Sequence, residues 1–146
     1  TYVVELAMRY QTPSIRSAIA KLQKARVNKV IVFPMFPQYA SATTGSVIDK
    51  VMKEYTQYQV IPEIHFINHY FHDEGFIQAF ASKISRMLQQ KTYDHVVFSY
   101  HGIPERHIRK SDDCNHCLKP DCCAVWSDIN RHCYKAQCAE TTRLIA

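Results

Sequence analysis

The sequence predicts an α/β protein with a Rossmann-like open parallel sheet and helices on both faces. Short runs rich in Val and Ile alternate with stretches whose apolar residues recur at helical spacing, which is typical of strand–helix–strand units. The chain has 146 residues, enough to bury one core. Its 47% hydrophobic and 21% charged residues are the proportions of a folded globular protein, so a disordered chain is not expected.

The first predicted strand ends at Tyr10. Thr12 and Pro13 then predict a helix start, with Thr as the cap and Pro at the first helical position, where its missing N–H costs nothing. A one-sided apolar stripe follows and ends near Ala25. Its members are Ile15, Ala18, Ile19 and Leu22. Residues 29–33 are apolar without alternation, which predicts a second strand that is covered on both faces.

A loop too polar for the core occupies residues 34–46, and residues 47–55 predict a second helix. Residues 61–67 predict a third strand. A third, long helix follows, and its apolar stripe is Phe76, Ile77, Phe80, Ile84, Met87 and Leu88. Residues 93–100 predict a fourth strand, after which come a cysteine-rich loop and a helix that begins near Lys135.

Charge and composition exclude several classes of function. Lys and Arg exceed Asp and Glu by 18 to 13, and the basic residues are scattered, so no nucleic-acid partner is expected. No apolar run approaches the roughly 18 residues of a membrane span. The three glycines form no phosphate-binding motif. Residue 1 falls within a strand pattern and residue 146 within a helix pattern, and we therefore expect a piece of a longer protein.

The six cysteines all lie within residues 114–138, and the first 113 residues have none. A secreted protein would spread its disulfides across the fold, so this crowding indicates a metal or iron–sulfur site in a reducing compartment. Cys114 and Cys117 have the CxxC spacing with which both kinds of site begin, so spacing alone leaves zinc and iron–sulfur level, with disulfides third. The remaining cysteines are Cys122, Cys123, Cys133 and Cys138.

Polar residues follow three of the predicted strands, where an open parallel sheet binds its ligands. Arg9 and Tyr10 follow the first strand, Thr43 lies in the loop after the second, and His101 follows the fourth. A neutral imidazole at that place can accept a proton or bind a metal near neutral pH. Each residue also has a plainer interpretation, as a surface charge, a half-buried aromatic, a helix cap and a packed histidine.

Four motifs, in order along the chain, resemble the ferrochelatase family. They are Met8-Arg-Tyr10, Phe36-Pro-Gln-Tyr39 with Thr43-Thr-Gly-Ser46, Phe98-Ser-Tyr-His-Gly-Ile-Pro-Glu-Arg106, and Cys138-Ala-Glu-Thr-Thr-Arg-Leu-Ile-Ala146. The resemblance covers essentially the whole chain. It implies that residues 1–146 are part of the N-terminal α/β domain of a two-domain, chelatase-like protein, and that the fold is incomplete relative to that parent.

The resemblance implies a specific reaction, the insertion of Fe²⁺ into protoporphyrin IX with release of two protons, the last step of haem biosynthesis. His101 would be the catalytic histidine, which takes pyrrole protons or binds the incoming substrate iron, and Arg9, Tyr10 and Thr43 would line the porphyrin pocket. The family pairs the histidine with a glutamate of the C-terminal domain, which this chain does not include. We therefore expect the 146-residue piece to fold without catalysing the reaction.

The resemblance also favours a [2Fe-2S] cluster over zinc. Some ferrochelatases bind a cluster with three cysteines near the C-terminus and one in the loop after the Pro-Gln-Tyr motif, where this chain has Ser41. The cysteine-rich insertion, residues 107–138, instead resembles that of bacterial ferrochelatases with an internal cluster. Four of the six thiols would then be ligands: Cys114, Cys117, Cys122, Cys123, Cys133 and Cys138.

Two other functions stay open on the residues alone. One is an α/β binding module with a zinc-stapled cysteine loop, and the other is a chelatase for another metal or another porphyrin. The resemblance further implies a cytoplasmic location with peripheral contact to the inner membrane.

Overall fold

The computed structural model describes residues 2–146 and contains helices, one π-helical turn and a small sheet. The helices are α1 (Ile15–Lys24), α2 (Ser46–Tyr55), α3 (Glu74–Leu88), α4 (Glu105–Lys110) and α5 (Tyr134–Ile145); the strands are β1 (Lys29–Val32) and β2 (Glu63–Phe66); the π-helical turn is Ser41–Gly45. None of the helices within the described residues has the length and apolar character needed to cross a membrane.

The residues group into two compact units. The first runs to Phe36 and resumes over Ala40–Asn68, and the second comprises Pro37–Tyr39 and His69–Ala146.

The first unit is a strand–helix–strand arrangement over one apolar core. β1 and β2 pair in parallel, with Lys29 opposite Glu63 and Val32 opposite Phe66. The core consists of Ile15, Ile19, Val30, Val51 and Tyr55. Helical spacing places the α1 and α2 members of this set on one face of each helix, as the apolar stripes predict. The α/β class and the parallel pairing are thereby confirmed.

The start of the chain differs from the prediction. Residues 2–7 form no strand, and the Met8 N–H instead donates to the Pro13 carbonyl at 2.7 Å, which folds the segment back on itself. The cap of α1 is Ser14 rather than Thr12, since the Ser14 hydroxyl accepts a hydrogen bond from the Ser17 N–H at 3.1 Å. The predicted Thr12 cap was therefore wrong by two residues, although the stripe and the end of α1 are confirmed.

The sheet is smaller than predicted. Residues 93–100 take no regular secondary structure and pair with no strand of the described chain, and Val97 is 84% exposed there. A run of apolar residues becomes a strand only where a neighbour can accept its backbone hydrogen bonds. β1 is covered on one face only, because Val30 is buried whereas Ile31 is 61% exposed. The prediction of a strand covered on both faces was wrong.

In the second unit, α5 presents a buried polar face. The Gln137 side chain accepts from the Tyr39 N–H at 2.7 Å and donates to the Arg131 carbonyl at 2.9 Å. The Thr141 hydroxyl accepts from the Gln38 amide at 2.9 Å and donates to the Phe71 carbonyl at 3.0 Å. This face holds the segment Pro37–Tyr39 against the helix.

We predict that Thr141→Val destabilises the protein by about 1–3 kcal/mol, because the buried Gln38 amide loses its acceptor. The measurement is the free energy of unfolding from urea titration followed by circular dichroism. The matched control is Thr56→Val, at an exposed helix end, for which we expect a change within about 0.5 kcal/mol. Equal stabilities of the Thr141 variant and the unmodified chain would contradict the assigned role.

Candidate functional site

In the first unit, Arg9 is held by two contacts. Its Nε donates to the Ser46 carbonyl at 3.1 Å, and its guanidinium carbon lies 4.6 Å from the centroid of the Tyr10 ring. The second contact has the geometry of a cation–π pair. Tyr10 is 82% exposed, so the ring leaves one side open to a ligand.

Thr43 lies in the π-helical turn that leads into α2. Its hydroxyl accepts from the Ala40 N–H at 3.1 Å and donates to the Ala40 carbonyl at 3.2 Å, and its carbonyl accepts from the Ser46 hydroxyl at 2.9 Å. The hydroxyl therefore closes the π-helical turn, whereas α2 is capped by Gly45 without a side-chain hydrogen bond, so Thr43 does not cap α2. Because Arg9 and Thr43 both bond to Ser46, the structure brings Arg9, Tyr10 and Thr43 together. A porphyrin-binding role for them stays a prediction.

In the second unit, His101 is exposed and is held through its main chain. Its carbonyl accepts from the Tyr134 hydroxyl at 2.9 Å, and the Tyr100 hydroxyl is hydrogen-bonded to the Thr142 hydroxyl at 2.9 Å. Both partners belong to α5. The imidazole makes no hydrogen bond, ion pair or ring contact with the described residues. The arrangement fixes the backbone and leaves the ring accessible to a substrate.

The Tyr134 phenol also contacts the thiol of Cys138, one helical turn further along α5. Burial, followed by the nearby Cys138, raises the pKa of Tyr134 to about 12. Burial likewise raises the pKa of Cys138 to about 11. Both groups keep their protons at neutral pH, so the phenol remains a hydrogen-bond donor to His101.

Four thiols of the cysteine-rich loop are neighbours. The Cys122 and Cys123 sulfurs lie 3.5 Å apart, and the Cys117 thiol lies beside that of Cys133. Burial, followed by the adjacent thiols, raises the pKa of both Cys117 and Cys123 to about 12. Such thiols stay protonated unless a cation replaces the proton, because the thiolate is the form that binds metal.

Asp112 organises the backbone of the CxxC segment. Its carboxylate accepts from the N–H groups of Cys117 at 2.8 Å, His116 at 3.1 Å and Cys114 at 3.3 Å. These hydrogen bonds, the one from Cys117 first, hold the pKa of Asp112 below its ordinary value.

Asn130 organises the backbone of the next part of the cysteine-rich loop. It is almost fully buried, donates to the carbonyls of Cys122 and Val125 at 2.9 Å each, and accepts from the Ser127 N–H at 2.8 Å. The chain's own polar groups therefore order this loop.

The six cysteines do not form one group. Cys114 is exposed, and Cys138 lies on α5 beside Tyr134 and near Cys133. Among residues 2–146, no three His, Cys, Asp or Glu side chains are placed so that they could hold one metal ion. The donor chemistry of the four neighbouring thiols fits zinc or an iron–sulfur cluster, and the side chains would have to turn toward a common point to bind it.

Comparison with known proteins decides the family. The profile of the Ferrochelatase family matches residues 1–146. The chain belongs to the ferrochelatase family. It is 43% identical over 145 residues to the ferrochelatase of Legionella pneumophila (strain Corby), covering 99% of this chain and 42% of that protein. It is 39% identical over 146 residues to the ferrochelatase of Coxiella burnetii (strain Dugway 5J108-111), covering 99% of this chain and 40% of that protein.

The chain thus spans about two fifths of the length of these curated ferrochelatases. The match extends over all four motifs, and the structure shows a direct contact between two of them. Gln38 of the Pro-Gln-Tyr motif is hydrogen-bonded to Thr141 of the last motif, 103 residues away.

Three contributors to the candidate sites were not predicted from the sequence: Asp112, Asn130 and Tyr134. An Asp at the start of a turn-rich segment is a usual acceptor for backbone N–H groups, so Asp112 carried a usable signal. Tyr134 carried none, since its partner is a carbonyl 33 residues away and every residue has a carbonyl.

We predict that Asp112→Asn loosens the CxxC segment, because an amide offers one acceptor oxygen where the carboxylate offers two. The expected result is faster hydrogen exchange of the Cys117 amide and faster reaction of Cys117 with an aromatic disulfide reagent. The control is Asp113→Asn, the exposed neighbour, which should leave both rates unchanged. Since the pKa of Asp112 is lowered in the folded protein, its contribution is present at neutral pH and weakens as the pH falls below 3.8, its ordinary value. Equal exchange and labelling rates in both variants would contradict the role.

Proposed function

We propose that this chain is part of an enzyme that inserts Fe²⁺ into protoporphyrin IX and releases two protons, the last step of haem biosynthesis. The observation that carries the proposal is the family match over residues 1–146, which includes the segment around His101. The exposed imidazole on a fixed backbone supports it, because metal insertion requires a group that accepts protons near neutral pH.

In this proposal His101 is the catalytic residue. Its neutral imidazole takes a proton from a pyrrole nitrogen or binds the incoming Fe²⁺, which is a substrate. Both roles need a lone pair on an accessible ring nitrogen, and the imidazole has no internal partner in the described chain that would occupy it.

Arg9, Tyr10 and Thr43 are proposed to contact the porphyrin. A guanidinium pairs well with a carboxylate, and protoporphyrin IX carries two carboxylate side chains. The exposed Tyr10 ring offers a flat apolar surface to a flat macrocycle. Thr43 contributes indirectly, since its carbonyl accepts from the Ser46 hydroxyl and the Ser46 carbonyl orients Arg9.

The partners in this proposal are protoporphyrin IX, Fe²⁺ and a C-terminal domain of the same protein. The relatives are more than twice as long as this chain, which leaves room for such a domain in them. A cytoplasmic location with peripheral contact to the inner membrane rests on the family resemblance alone.

We also propose that the cysteine-rich loop binds a [2Fe-2S] cluster through Cys117, Cys122, Cys123 and Cys133. What supports this set is the mutual proximity of these four thiols, whereas Cys114 is exposed and Cys138 contacts Tyr134. A bound cluster would join the loop to the start of α5 by metal–sulfur bonds. Zinc is the second candidate, because a site of four cysteines suits it equally.

The ligand set is tested with protein prepared without oxygen. We predict visible absorption bands that are lost in Cys117→Ser and in Cys133→Ser and are retained in Cys114→Ser, the control at the exposed position. Zinc thiolates have no visible bands, so a colourless protein with one equivalent of zinc by metal analysis would overturn the cluster. Loss of the bands in Cys114→Ser would overturn the choice of ligands.

The role of His101 is tested in the full-length protein by following the absorption change of the porphyrin on Fe²⁺ insertion. We predict that His101→Ala lowers kcat at least about a hundredfold, because it removes the proton-accepting group. The control is His95→Ala, at an exposed position in the same segment, which should retain the rate.

Two outcomes would contradict the proposal. Metal insertion that survives in His101→Ala would remove the catalytic assignment. A folded but inactive unmodified protein, tested with Fe²⁺ and Co²⁺, would favour the binding module with a zinc-stapled loop.

A further inference from the structure

Tyr134 makes a contact with His101 to which the proposed reaction assigns no role. Its hydroxyl donates to the His101 carbonyl at 2.9 Å from the first residue of α5. The side chain is partly buried, whereas His101 is exposed. The hydrogen bond therefore runs from a packed helix to an otherwise open segment.

Gly102 follows His101 directly and lies in open space, whereas Ile103 packs against the apolar cluster around Ile108. A Cβ added to Gly102 would meet nothing within 4 Å, so open space surrounds this residue. A glycine in open space leaves the backbone free to rotate. The carbonyl that Tyr134 binds is the one joining His101 to Gly102, and this bond therefore limits the rotation.

The helix that carries Tyr134 makes further hydrogen bonds. The Tyr100 hydroxyl is bonded to Thr142 on the same helix, so two consecutive residues are tied to α5. The buried side chains of Gln137 and Thr141 fix the helix to the rest of the unit. A hydrogen bond from such a helix sets a position and is more than a fluctuating surface contact.

We propose that Tyr134 is a positioning residue, whose hydrogen bond to the His101 carbonyl holds the imidazole in its working orientation. The inference rests on the proposed catalytic role of His101. A displacement of the ring costs rate even when binding is unchanged, because proton transfer requires the donor and acceptor within hydrogen-bond reach.

The test compares Tyr134→Phe with Tyr55→Phe in the full-length protein. Both substitutions remove only a hydroxyl from a tyrosine, but the buried Tyr55 hydroxyl has no partner in the described chain. We expect Tyr134→Phe to lower kcat about three- to tenfold, the effect of one lost hydrogen bond, with KM for the porphyrin unchanged. Tyr55→Phe should keep both constants. An unchanged kcat, or a rise in KM that accounts for the whole loss, would overturn the proposal.

A rescue variant separates positioning from general damage. Gly102→Ala fits the open space and restricts the backbone that the hydroxyl otherwise restrains. Combined with Tyr134→Phe, it should restore at least half of the lost kcat. A double variant as slow as Tyr134→Phe alone would count against restraint of the backbone as the cause.

A spectroscopic measurement tests the positioning of His101 by Tyr134 without relying on activity. With ¹³C-labelled histidine, the ring signal of His101 is assigned by its loss in His101→Ala. In Tyr134→Phe we expect that signal alone among the 8 histidines to shift and broaden, and in Tyr55→Phe none. An unchanged His101 signal would overturn the proposal.

One further arm covers a Tyr134→Phe protein that does not fold. Site-specific 3-fluorotyrosine at position 134 keeps the hydroxyl and makes it a stronger donor, so the ¹³C signal of the His101 carbonyl should move; a fixed signal would overturn the proposal. If His101→Ala proves active, the proposed catalytic role of His101 fails, while the ring and carbonyl signals still decide whether Tyr134 positions the His101 ring.

Discussion

The buried polar face of α5 is the constraint on which the second unit depends. Gln137 and Thr141 are 1% and 2% exposed, so their polar groups have no water and must find protein partners. The partners are the Gln38 side chain, the Tyr39 N–H and the carbonyls of Phe71 and Arg131. Since the same helix bonds to Tyr100 and His101, one element orients two motifs that lie far apart along the chain.

Local patterns predicted the helices well and the strands poorly. Periodicity predicts α1, α2, α3 and the start of α5, because the signals for these helices lie in residues only a few positions apart. A strand depends on a neighbouring strand that the local sequence does not specify, and the runs ending at Tyr10 and Tyr100 join no sheet in the described structure. α4 escaped prediction because its six residues contain one buried apolar position, Ile108.

The residues of the candidate sites also differ in whether the local sequence marks them. Arg9, Tyr10 and His101 were selected by residue type at the ends of predicted strands. Their roles stay predictions, because the segments before them form no strand in the described structure. Asp112 and Tyr134 both act on backbone groups. An Asp before a turn-rich segment is a usual acceptor of backbone N–H groups, whereas no residue type marks the carbonyl that Tyr134 binds. The spacing of Cys114 and Cys117 suggested a pair, but the turn ordered by Asp112 exposes the first sulfur and buries the second.

The bond between Gln38 and Thr141 joins positions 103 residues apart and has an evolutionary consequence. A substitution at one position alone leaves a buried donor or acceptor without a partner. A concerted change to two apolar residues of matching shape removes both polar groups at once. The two positions are therefore expected to covary, so that a substitution at one is accompanied by a substitution at the other.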